Sequence, residues 1–304
     1  MLEVFPNYYK KFKCIADKCA HSCCIGWEID IDARTMTKYR MLGSDFGDKI
    51  RENIEGDVPH FKLQKDDRCP FLNEKGLCDI IIECGEGYLC DICAEHPRFR
   101  NFYTYFTETG LGLCCEEAAR IILFDEECFS VSLPENVDLT EDEKEFFIKR
   151  KEIFSVLQNR EKSIAERFSE IGEQFGFKFG FSLENLCDEY ISLERLDENW
   201  TAELEKLKKF SFDGEIFKER AFQIPFEQLA AYFIFRHLGE ALWDDDYATR
   251  IKFALKSCYL IGALWWRYKC EFGNINPEKM ADFARMYSAE VEYSEENLDK
   301  LIYN

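Results

Sequence analysis

The stretch KCIADKCAHSCCIGWEIDID, residues 13–32, carries four cysteines spaced C-x4-C-x3-C-C: Cys14, Cys19, Cys23 and Cys24. Outward from it, further cysteines come in short groups. Cys69 and Cys78 close CPFLNEKGLC, Cys84, Cys90 and Cys93 lie in ECGEGYLCDIC, and Cys114 and Cys115 are adjacent. With Cys128, twelve of the fifteen cysteines precede residue 131, and only Cys187, Cys258 and Cys270 follow it. This asymmetry marks a cysteine-cluster domain over residues 1–130 and leaves 131–304 as a second domain.

The chemistry of those cysteines depends on the compartment. The opening MLEVFPNYYKKFKC lacks the apolar stretch of a secretory signal. No window approaches a membrane span, and the longest apolar run, Tyr259 to Trp266, is a core-helix fragment. A cytoplasmic protein with no membrane partner is expected, and in a reducing compartment cysteines are metal ligands or catalytic thiols rather than disulfides. A net charge of −20 and a pI near 4.8 exclude nucleic acid as a natural partner, since affinity for a phosphate backbone comes from Lys and Arg. Hydrophobic residues at 46%, with 28 Phe and 14 Tyr, indicate a folded chain with an aromatic core.

Soft metals need deprotonated thiolates, and short loops between ligands reduce the entropy lost on gathering them. The grouped spacing supplies this, and a cysteine-ligated iron–sulfur cluster, 4Fe–4S in its expected form, is the first reading. Zinc is the alternative, but only Cys90 and Cys93 make the C-x2-C knuckle typical of its sites. Neighbouring side chains on extended backbone point opposite ways, so Cys23 and Cys24 can both ligate only if the backbone turns or if two sites are served. Two clusters would use about eight thiolates. The C-x3-C-x2-C motif of radical S-adenosylmethionine chemistry begins at Cys19 and Cys23 but has Gly26 at its third position. His21 could donate to a ligand sulfur, and Arg98 could neutralise a negatively charged cluster.

The remaining pattern is mainly α, beside a small α+β, loop-rich N-terminal cysteine domain. Alternation from Glu28 to Ile31 predicts a short strand, with Asp32 capping a helix that reaches Met41. FRNFYTYFTETGLGL predicts a strand or hairpin, with Thr109-Gly110-Leu111-Gly112 as a turn or bulge rather than a dinucleotide-binding loop. SLPEN, from Ser132 to Asn136, reads as a linker. A capping box of Thr140 and Glu143 then opens a helical domain. Further helices are expected over Leu183 to Arg195, Asp197 to Lys209, Phe226 to Trp243 and Asp246 to Phe272, then from Pro277 and near Glu295 to Ile302. His237 falls on an apolar face and reads as a core residue, as do Trp265 and Trp266, with Arg267 extending its charge to the surface.

KCIADKCAHSCCIGWEIDID, CPFLNEKGLCDI, CAEHPRF and LCCEE, in that order between Tyr9 and Arg120, together resemble the flagellin lysine N-methylases. The second half shares with them a helical character and the aromatic run YFIFRH, residues 232–237. The resemblance implies a metal-ligand set of Cys14, Cys19, Cys23, Cys24, Cys69, Cys78, Cys93 and Cys115, with Cys90 the alternative to Cys93 in its loop. It also implies transfer of a methyl group from S-adenosylmethionine to lysine side chains of flagellin by a protein carrying an iron–sulfur cluster. It assigns no catalytic or donor-binding residue. Such a reaction needs a neutral amine, because an ammonium of ordinary pKa near ~10.4 has no lone pair, and desolvation in an aromatic pocket would favour that form. The competing expectation is a non-catalytic metal-binding module with a helical partner-binding domain.

Overall fold

The computed structural model describes residues 2–133 and 137–303. Of the expected linker, Pro134 to Asn136 lie outside the described residues. The strands are β1 Leu2–Val4, β2 Ile54–Glu55, β3 His60–Phe61, β4 Arg98–Phe102 and β5 Phe106–Leu111. Helices make up most of the rest, so the protein is mainly α with small sheets in its N-terminal part. No helix among the described residues is long and apolar enough to cross a membrane.

Two compact units form, and they divide the chain elsewhere than at residue 130. One comprises Lys13–Arg98 with Cys115–Glu117; the other comprises Met1–Phe12, Phe99–Cys114 and Ala118–Asn304. The early segments join the helical unit because their side chains are covered there. β1 pairs in parallel with β5, Leu2 opposite Phe106 and Val4 opposite Glu108, in a sheet ordered β1-β5-β4. Phe99 meets the rings of Tyr232 and Phe235, and buried Glu108 pairs with Arg150 through hydrogen bonds of 2.6 and 2.8 Å. Thr109 to Leu111 are strand rather than turn. A Cβ at Gly110 would stand 2.4 Å from Phe99 Cζ, so glycine is required there for close packing of rings on a strand.

The helical unit is organised around Gln223–His237 and Tyr247–Phe272. Every residue from Pro225 to Phe235 is buried, Glu227 and Gln228 included, so burial extends beyond the one apolar face expected. The expected capping box at Thr140 opens Glu141–Leu157, and the helices expected from Asp197 and Asp246 form with those residues as their caps. Helix Leu183–Ile191 stops earlier than its pattern suggested, and the Phe226–Trp243 segment breaks into Gln223–His237, a 3-10 turn and Ala241–Asp244. A further helix, Ile164–Gln174, is opened by the capping box of Ser163 and Glu166.

The candidate residues of this unit are structural. His237 Nε2 lies 2.6 Å from Glu292 Oε1, and its ring sits between Phe233 and Phe253. Trp265 is fully buried and donates to Met280 O at 3.0 Å. Arg267 pairs with Glu203 and Glu271.

Glu108→Ala leaves Arg150 buried without a counter-charge and is expected to cost about 3–5 kcal/mol, read as a fall in the urea midpoint. The double variant Glu108→Leu/Arg150→Met is expected to recover most of that loss, because desolvation of both charges is then avoided.

Candidate metal centre

The cysteine unit is built from turns held by backbone hydrogen bonds among four short helices, Ala33–Met41, Asp45–Glu52, Asp79–Cys84 and Asp91–Glu95. Asp32 caps Ala33–Met41 through Thr35 N at 2.9 Å and also accepts from Asp91 N at 2.9 Å, which ties the Cys90 loop to this helix. Thr35 Oγ1 and Tyr39 Oη donate to the carbonyls of Leu89 and Tyr88, at 3.3 and 2.7 Å. The expected strand over Glu28 to Ile31 is reduced to an isolated bridge between Asp30 and His60. Its alternation is kept, since Ile29 and Ile31 are both buried.

Local sequence explains how distant cysteines meet. CPFLNEKGLC folds into a tight hairpin in which Asn73 Oδ1 accepts from Lys75 N and Leu77 N, and Gly76 takes a φ of +74°. Leu72 and Cys78 then form a bridge, and Cys69 comes beside Cys78. Cys69 N donates to Cys24 O at 2.9 Å, which joins the first cysteine group to this hairpin. Gly26, at φ +92°, donates to Asp67 O at 3.0 Å alongside. Cys24, Cys78 and Cys93 are packed against a buried core that contains Cys69, Cys90, Tyr39, Phe61 and Phe71.

A separate arrangement forms at Glu116. Its carboxylate accepts from Ala20 N at 3.0 Å and His21 N at 3.1 Å and meets Cys19 Sγ at 3.7 Å, which draws the Cys19 loop to Cys115–Glu117. Lys18 N and Cys19 N close a 3-10 turn onto Ile15 O and Ala16 O between Cys14 and Cys19. Trp27 Nε1 donates to Cys23 O at 2.5 Å.

Thus the cysteines fall into two sets. Cys23 is bonded to Cys24 of the second set, and charge on Cys14 and Cys115 also registers at it; charge on Cys115 registers at Cys19, which places Cys14, Cys19, Cys23 and Cys115 near one another. Charge on Cys24, Cys78 and Cys90 registers at Cys69, and that on Cys90, Cys24 and Cys69 at Cys93. All eight cysteines expected as ligands lie in one set or the other. Cys90 and Cys93 lie side by side with their thiols hydrogen-bonded, and Tyr39 Oη is 3.6 Å from Cys90 Sγ. Cys84 feels only its own burial and Glu83, while Cys114 and Cys128 belong to the helical unit. Arg98 Nη1 donates to Ala94 O at 3.2 Å and Glu95 O at 3.5 Å, at the end of helix Asp91–Glu95. His21 contributes its backbone to Glu116, and its carbonyl meets Cys19 Sγ at 3.3 Å.

Electrostatically, these are crowded thiols in need of cations. Burial pushes Cys69 up to about 12 and Cys19 to about 11, with Glu116 and Cys115 adding to the latter. Cys23 is raised by its hydrogen bond to Cys24 and by charge on Cys24, Cys14 and Cys115. Cys24 is lowered to about 7 by its bond to Cys23, with help from Ser22 and Arg68. Burial raises Cys78, against the backbone N–H groups of Ile81 and Ile80. Multiple thiolates in such surroundings are stable only beside a cation, which is the condition a thiophilic metal meets. The donor chemistry therefore fits a cysteine-ligated metal. All fifteen cysteines are described, and none forms a disulfide.

Among the described residues, the set of three possible ligands whose donor atoms all lie within 4.8 Å of one another is Glu28, Asp30 and His60. The sequence reading did not single these out, although the i, i+2 spacing of Glu28 and Asp30 on extended backbone places them on one face.

Two units of this kind, one rich in grouped thiols and one helical, define the class: a helical protein with a cysteine-cluster module. Comparison with known proteins narrows it. Over 138 residues the chain is 28% identical to the Lysine-N-methylase of Salmonella typhimurium, a match covering 42% of this chain and 34% of that protein. It is also 28% identical over 137 residues to the Flagellar biosynthetic protein FliU of Salmonella muenchen, covering 41% of this chain and 79% of that one. The chain is thus distantly homologous to these proteins, and its match spans about a third of the length of the first. No protein-family model and no solved structure matches it.

Burial, with the charge of Arg98 adding, holds His96 down at about 4 against an ordinary 6.5. Because its folded value is depressed, the stability it contributes is complete above pH 6.5 and is lost as pH falls from there towards 4. The loss from this group is expected to approach roughly 3 kcal/mol, and to be missing from His96→Phe, when denaturant midpoints are compared between pH 7 and about pH 4.5.

Proposed function

We propose that this chain is a protein-lysine N-methyltransferase that takes flagellin as substrate and S-adenosylmethionine as methyl donor. In this reading it acts in the cytoplasm and carries cysteine-ligated iron–sulfur. The observation that carries it is the identity to Lysine-N-methylase, joined by that to a flagellar biosynthetic protein. Homology supports a methyltransferase; the donor, the substrate and the cluster are the finer parts of the proposal.

The metal part of the reading is supported by the donor set. Cys14, Cys19, Cys23 and Cys115 would hold metal in one set, and Cys24, Cys69, Cys78 and Cys93, with Cys90 beside it, in the other. Iron–sulfur is preferred to zinc because, of the grouped cysteines, only Cys90 and Cys93 make the C-x2-C knuckle typical of zinc sites. When bound, such a cluster supplies electron transfer or Lewis acidity, and the protein's own groups set its surroundings.

Methyl transfer to lysine requires that the ε-ammonium first lose a proton, which then goes to solvent or to a base. The amine lone pair forms the new N–C bond as the S–CH3 bond breaks and the donor leaves as the neutral thioether. The rate is therefore expected to rise with pH below the lysine pKa, near ~10.4 when unperturbed. Incubation of the metal-loaded chain with flagellin and S-adenosylmethionine, followed by peptide mass spectrometry, is expected to show methyl groups on lysine side chains. If S-adenosylmethionine binds in calorimetry but no lysine is methylated, flagellin is the wrong substrate. If it does not bind, the chain is a non-catalytic metal module with a helical partner-binding unit.

A further inference from the structure

We propose that the adjacent cysteines Cys23 and Cys24 divide between two separate iron–sulfur clusters, one held by Cys14, Cys19, Cys23 and Cys115, the other by Cys24, Cys69, Cys78 and the Cys90/Cys93 pair. The proposal rests on the iron–sulfur reading above and goes beyond it in the number of centres and in the ligands each takes.

The backbone on either side of the pair is committed in different directions. Cys24 O accepts from Cys69 N, and the Cys24 side chain packs against the apolar core that also contains Cys69 and Cys90. Cys23 O is held by Trp27 Nε1, and Cys23 is exposed, as is Cys14. Ile25 N closes a turn onto Ser22 O, so the two residues occupy a bend and not a straight strand. The outer set is drawn together by Glu116, whose carboxylate gathers the Cys19 loop beside Cys115, a contact independent of the hairpin that assembles the inner set. Each scaffold brings its own cysteines: the 3-10 turn and Glu116 for one, the Cys69–Cys78 hairpin and the Cys90 loop for the other.

A single cubane cannot use both members of the pair easily. Its four ligand sulfurs point outward from separate corners, whereas the thiols of Cys23 and Cys24 contact each other. It would also leave four or more grouped cysteines without a role. Two clusters of four thiolates each use the eight residues of the ligand set, and the residue pair then joins the centres through one peptide bond. Centres so close are magnetically coupled, and the outer one is the more open to solvent.

The test uses the full chain, purified anaerobically and reconstituted with iron and sulfide. Iron, sulfide and zinc are counted per chain, and electron paramagnetic resonance is recorded after reduction. About eight irons per chain are expected, four for each four-cysteine cluster, with a spectrum split by interaction between the centres. Cys14→Ser and Cys23→Ser are expected to lose the same half of the iron and the splitting, and Cys24→Ser and Cys78→Ser the other half. If the two core variants fail to fold by circular dichroism, Cys14→Ser and Cys115→Ser decide alone: retention of half the iron supports the division, and loss of all or none overturns it. About four irons in the wild type, with or without zinc beside them, overturns the division while leaving the iron–sulfur reading standing. Absence of iron and sulfide overturns both.

Discussion

Crowding of thiols around a bend at Cys23–Cys24 is the constraint on which the cysteine unit depends. Burial raises Cys19, Cys69 and Cys78, and Arg68 helps to lower Cys24. The apolar core of this unit is small, gathered around Tyr39, Phe61 and Phe71, and cysteines form part of it. Metal ligation supplies in such cases what hydrophobic burial does not, and binding becomes coupled to folding.

The hydrogen bonds that shape the ligand loops come mostly from residues that are not ligands. Asn73 turns the Cys69–Cys78 hairpin, Glu116 receives the Cys19 loop, and Asp32 joins a helix cap to the Cys90 loop. Tyr39, fully buried, fixes the Tyr88 carbonyl and touches Cys90. Such partners orient ligands and tune the electronic character of a metal site. The helical unit answers a different problem. Its central helices are largely buried, and three of its buried carboxylates, Glu108, Glu227 and Glu292, each face an arginine.

The relatives give this arrangement a chemical direction. Identity to a lysine methylase and a flagellar protein is distant and partial, and it coincides with a chain whose N-terminal sequence is dominated by grouped cysteines. Aromatic residues, which composition alone could place around a substrate amine, are in large part core: Phe226, Phe233, Phe235 and Trp265 are all buried.

By itself the sequence determined what depends on local chemistry. Grouped thiols, the Thr140 capping box, the cap at Asp32 and the helix over Asp246 to Phe272 were legible because each is written in consecutive residues. The capping box at Ser163 and Glu166 was equally local and was overlooked. Tertiary structure decided what depends on distant segments. It made Thr109–Leu111 a strand, because Phe99 and Phe235 close over Gly110, and it moved residues 1–12 and 99–114 into the helical unit. It also sorted the cysteines into two sets and put Cys90 among them. Which thiols meet is fixed by hydrogen bonds such as Cys69 N to Cys24 O, between residues far apart in the chain, and spacing along a sequence carries no record of them.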